Sequence, residues 1–92
     1  MLYKIYQLKE EQRTLLFRLY DEKTFDINNY NMVYVADTEF TGNIIEDLDN
    51  IYCILNANRP DDFKGHSLSV SDIVELDGSM YYVERFGWKK IS

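Results

Sequence analysis

Cysteine, proline, histidine and glycine are all scarce in this chain: one Cys, one Pro, one His and four Gly among 92 residues. A lone Cys53 excludes an intramolecular disulfide and any cysteine-rich metal site. With a single His66 and dispersed carboxylates, the ligand spacing of a zinc or EF-hand site is also missing. The glycines form neither a phosphate-binding loop nor a dinucleotide fingerprint, so no cofactor is expected. No apolar run approaches the roughly 18 residues of a membrane span. The opening Met1-Leu-Tyr-Lys-Ile-Tyr-Gln7 lacks the apolar core of a signal peptide. A soluble protein of a reducing compartment, the cytoplasm, is the expectation. Basic residues are in deficit, 10 against 16 acidic, for a net charge of -6. Phosphate-backbone binding needs the opposite balance, so nucleic acid is not expected as a direct partner.

What the chain does have is aromatic bulk: eight Tyr, five Phe and Trp88. Each can bury about 150–250 Å², enough to supply much of the core of one small domain. Acidity is concentrated in residues 21–50. There Asp21, Glu22, Asp26, Asp37, Glu39, Glu46, Asp47 and Asp49 face one basic residue, Lys23. Ordinary solvated surface explains this, as does a binding face for a basic partner or a mimic of DNA phosphates.

Leu2–Leu8 reads as a short strand rich in β-branched and aromatic residues. Thr14–Phe25 fits helix and strand about equally, and an extended start passing into a short helix over 18–25 is expected. Asp26–Asn31 is dense in turn-forming Asp and Asn, and Met32–Thr38 reads as a strand. The clearest helix covers 44–56. Asn43 is its N-cap and Glu46 the capping-box residue, while Ile44, Leu48, Ile51, Tyr52 and Leu55 form one apolar stripe. Pro60 ends it by disfavouring helical geometry at Arg59. Ser71–Leu76 and Met80–Arg85 pair as strands across Asp77-Gly78, the preferred dipeptide of a type I′ turn. That register sets Val74 opposite Tyr81 and Ile73 opposite Tyr82. Phe86-Gly87-Trp88 bends the second strand, which Lys89–Ile91 continue. The architecture predicted is α+β: a mostly antiparallel sheet of about four strands, one main helix packed on it, and a second short helix.

The run Pro60-Asp-Asp-Phe-Lys-Gly-His-Ser-Leu-Ser-Val-Ser-Asp-Ile-Val74, followed by Gly78, Tyr81-Tyr-Val83 and Phe86-Gly-Trp88, resembles the signature of the YodL-like domain. Tyr3–Leu8, Asn29–Tyr34 and the helix end before Asn58-Arg-Pro60 fit that pattern in the same order. Glu84 stands where Asp is common and Trp88 where Phe is common, changes that preserve charge and bulk. The resemblance implies a bacterial domain, chiefly of Firmicutes, found in products of mobile genetic elements. It implies no catalytic residues.

The chemistry-bearing residues cluster in the same stretch. A hydrolytic site would combine His66, one of Ser67, Ser69 or Ser71, and Asp72. His66 and Asp72 are six residues apart, about 20 Å if extended, so a tight turn would be needed to unite them. Hydroxyls satisfying backbone groups explain the serines more simply. Cys53 reads as a small, partly buried thiol, Asp61-Asp62 as a loop or cap, and Glu46, Asp47 and Asp49 as a solvated helix face. The function expected is a non-enzymatic protein-interaction or regulatory module, with Phe86, Trp88 and Tyr82 as its surface. An acidic DNA mimic or anti-restriction inhibitor is the alternative, and a hydrolase using His66 the third. The partner expected is an unidentified protein, and the chain itself a monomer or weak homodimer.

Overall fold

The structure is a computed structural model that describes residues 1–10 and 25–91. Its strands are β1 (Leu2–Leu8), β2 (Tyr30–Asp37), β3 (Ile73–Leu76), β4 (Ser79–Glu84) and β5 (Gly87–Lys90). They form one sheet of five strands, all antiparallel neighbours, in the order β2-β1-β3-β4-β5. A long helix, α1 (Ile44–Ala57), packs on one face.

The helix forms where its capping chemistry begins. The side chain of Asn43 accepts the Glu46 N–H at 3.1 Å, and Glu46 and Asp47 lie in the first turn at the positive end of the dipole. Leu48, Ile51 and Leu55 are fully buried against Tyr3, Ile5, Val74 and Leu76 of the sheet. Fully burying each Leu or Ile contributes roughly 1.5–3 kcal/mol. In the last turn of the helix, the Asn56 amide grips the backbone of Leu68 twice. It donates to the carbonyl at 3.0 Å and accepts from the N–H at 2.7 Å. This side chain stands in for a strand partner and fastens the 58–72 loop to the helix end.

The Asp77-Gly78 turn is as its residues require. Both have positive φ, 52° and 77°, and Val74 and Ile73 face Tyr81 and Tyr82. The strand count is five rather than four. After Glu84 the chain reverses through Arg85-Phe86 instead of bending onward, and Trp88 pairs back onto Val83. Gly87, at φ 104°, is the left-handed residue that closes this reversal. β3 starts at Ile73 rather than at Ser71, because Ser71 has φ 84° and cannot continue a strand.

The short helix expected over 18–25 lies outside the described residues except for Phe25, which is not helical. A 3-10 turn, Ile27–Asn29, leads into β2, and there Asp26 accepts the Asn28 N–H at 2.9 Å.

Candidate functional site: a buried polar cluster and an aromatic groove

His66 and Asp72 do meet. Asp72 N–H donates to the Ser69 carbonyl at 3.0 Å, and the left-handed Ser71 completes a tight reversal of the loop. The His66 Nδ1 and Asp72 Oδ2 atoms end 3.9 Å apart. Gln7, on β1, joins them. Its amide nitrogen donates to the His66 carbonyl at 2.7 Å and to Asp72 Oδ2 at 3.1 Å, while its oxygen accepts the His66 N–H at 3.2 Å. Asp72 also accepts the Ser69 N–H at 3.0 Å. Gln7, Ser71 and Asp72 are buried.

Ser67 and Ser71 of this loop make further contacts. Ser67 Oγ accepts from the Arg59 guanidinium at 2.8 Å, and the Ser67 carbonyl lies 2.7 Å from His66 Nδ1. The Ser71 N–H donates to Val83, and its carbonyl accepts the Tyr30 hydroxyl at 2.8 Å. The hydrogen bonds of this cluster clamp β1, the loop and β4 together. Burial pushes the Tyr30 phenol far up from its usual range, with Tyr82 and Asp72 adding to the shift, so its hydroxyl stays a donor.

A groove of about 310 Å³ runs between α1 and the β4–β5 turn, and Val70 and Val83 in its lining adjoin the polar cluster. Tyr52 and Trp88 line it edge to face, their ring centroids 6.3 Å apart. The Trp88 indole N–H donates to Asp49 Oδ1 at 3.0 Å, which fixes the ring. Next to the groove Phe86 projects from the turn, 93 % exposed. Tyr82, the third residue expected at this surface, is 4 % exposed and belongs to the interior. It sits on the face of β4 opposite Trp88, because the register pairs it with Lys89. Cys53 is exposed rather than partly buried, since it lies off the stripe that faces the sheet.

The six central acids within the described residues are dispersed. Asp47 is buried and accepts the Thr41 N–H, Asp26 caps the 3-10 turn and Asp49 holds Trp88. Asp37 ends β2, Glu39 follows it and Glu46 opens α1. Asp47, expected on a solvated helix face, closes the loop in front of the helix instead. Among the described residues no group of three or more His, Cys, Asp or Glu side chains is placed to hold a metal ion. None of the described helices is long and apolar enough to cross a membrane.

These features define a small α+β domain with one main helix packed on a five-stranded antiparallel sheet, a buried polar clamp and an exposed aromatic turn. The chain belongs to the YodL-like domain family, whose model matches residues 2–92. No curated protein and no solved structure matches it.

Proposed function

We propose that this domain is a non-enzymatic protein-binding module whose contact surface is centred on Phe86 and the adjoining Tyr52–Trp88 groove. The observation that carries this reading is Phe86 itself. An aromatic ring 93 % exposed at a tight turn contributes nothing to the core, and the turn has no need of it, since Asn, Asp, Gly or Ser serve there better. Beside it lies a concave, partly aromatic surface whose Trp ring is already oriented, so little side-chain freedom would be lost on binding. Aromatic anchors next to a pocket are the residues that dominate interface energies. The setting taken for this module is a bacterial mobile genetic element, which is what the family resemblance implies.

Affinity capture from a bacterial lysate with wild type, Phe86→Ser and Trp88→Ala in parallel tests the reading. Phe86→Ser should leave stability within about 0.5 kcal/mol, as expected for an exposed position, yet lose the captured protein. A hot-spot loss of about 2 kcal/mol corresponds to a roughly 30-fold weaker complex. Retention of every captured protein by folded Phe86→Ser would overturn the assignment.

A further inference from the structure

β2 pairs with β1 on one side, and among the described residues no strand lies on its other side. Natural sheets guard such edges with charge, proline or brevity. The opposite edge is guarded in this way: β5 has four residues, and Lys89 and Lys90 are two of them. β2 is eight residues long, Tyr-Asn-Met-Val-Tyr-Val-Ala-Asp, and its charge is confined to Asp37 at the end. Met32 is 53 % exposed and Val35 41 %.

The ladder determines which backbone groups of β2 point outward. Thr38 N–H donates to the Met1 carbonyl at 2.9 Å. Alternation along an antiparallel pair then turns Ala36 and Tyr34 towards β1, and Asp37 and Val35 away from it. At the other end Lys9 N–H donates to the Asn29 carbonyl at 2.8 Å, which turns Asn31 inward and Tyr30 and Met32 outward. The two phases meet where the register shifts, with Val33 as the extra residue. The outward set is therefore Tyr30, Met32, Val35 and Asp37, a spacing that reads the same from either end.

That palindrome selects the occupant of the edge. When β2 lies antiparallel to β2 of another copy, Met32 can face the second copy's Val35 while Tyr30 faces the second copy's Asp37. Every outward residue then meets an outward residue, and shifted registers match at most half of them. The Met32–Val35 pairs exchange two hydrogen bonds each. The Tyr30 N–H is already given to the Ile27 carbonyl, so the end pairs use the Asp37 N–H and the Tyr30 carbonyl. Met32 and Val35 share the sheet face that carries Tyr6 and Lys4, so each exposed apolar side chain gains a cross-strand neighbour. Asp37 meets a tyrosine rather than a second carboxylate.

We propose that β2 is a homodimer seam, joining two copies about a two-fold axis with Met32 opposite the second copy's Val35 and the two sheets continuous.

Sedimentation from about 1 µM to 1 mM, the span of weak to moderate self-association, should show wild type passing from monomer to dimer. Val35→Pro removes an outward N–H and leaves the β1 ladder intact, as proline does on an edge, and should stay monomeric. Met32→Lys, at an exposed side chain, should do the same without touching the backbone. Register is read by cross-linking in a Cys53→Ser background. Met32→Cys mixed with Val35→Cys should form a disulfide dimer, since hydrogen-bonded pairs have Cα atoms about 5.5 Å apart. Neither variant should cross-link alone, because two copies of residue 32 would stand roughly 10 Å apart. A wild type that stays monomeric throughout, including one whose edge is taken by a strand of another protein, would overturn the proposal. So would cross-linking of Met32→Cys alone.

Discussion

The Tyr34 hydroxyl donates to Asp62 Oδ1 at 2.9 Å, and the ring packs edge-on against Phe63 with centroids 5.3 Å apart. Burial first, and then the bond to Asp62, push its phenol up to about 12 from 10.0. A phenol whose folded value is raised keeps its proton in the fold while the unfolded chain releases it. The contribution of Tyr34 to stability is thus complete below pH 10 and is lost as pH rises from 10 through about 12. Urea-unfolding midpoints measured across that window should fall more steeply for wild type than for Tyr34→Phe. Parallel slopes would remove Tyr34 from the alkaline response.

Between the residue and the whole lie the elements, and here the clamp of β1 on the 58–72 loop depends on one close approach. A Cβ on Gly65 would collide with the Gln7 side-chain oxygen and stand 3.1 Å from the Phe63 ring. Gly65→Ala should cost about 1–3 kcal/mol, the usual range for overpacking. Part of that cost should vanish in a Gln7→Ala background, giving a coupling of about 0.5–3 kcal/mol in a denaturation cycle. Strict additivity would mean that the collision is not with Gln7. The same elements show what was legible in the sequence. The α1 stripe and the Asp77-Gly78 turn could be read because their signals are local: a capping residue, a helical period, a dipeptide with known φ. The Glu84–Gly87 reversal could not, because Arg85 and Phe86 carry no turn chemistry and Gly87 alone marks it. The meeting of His66 with Asp72 was hidden for a further reason. It depends on Gln7, 59 residues before His66, and on a serine in the left-handed region, which is uncommon for a residue with a side chain. Of the three aromatics expected at a surface, Phe86 is exposed and Trp88 half-buried at the reversal. Tyr82 is buried rather than exposed, because a side chain's face follows from register, which the bend conceals.

For the molecule as a whole, the seam at β2 links stability to concentration. Association of folded chains stabilises them by mass action, so the melting temperature should rise with protein concentration. For a domain of this size about 1 kcal/mol moves it by roughly 4–8 °C. Val35→Pro should melt at one temperature whatever its concentration. A wild type equally indifferent to concentration would speak against a seam populated under those conditions.

The strand order has a consequence for the birth of the chain. β1 comes early in the sequence yet lies inside the sheet, flanked by β2 and β3. On the ribosome its first neighbour, β2, emerges soon after it, but Ile73–Leu76 follow only some 65–70 residues later, several seconds at about 5–20 residues per second. Through that interval β1 lacks its native neighbour β3, and Gln7 lacks the loop it clamps. The β3–β4–β5 meander, built from neighbours in sequence, can close as soon as it emerges and then capture β1. The β3–β4–β5 unit thereby completes a sheet begun by β1 and β2.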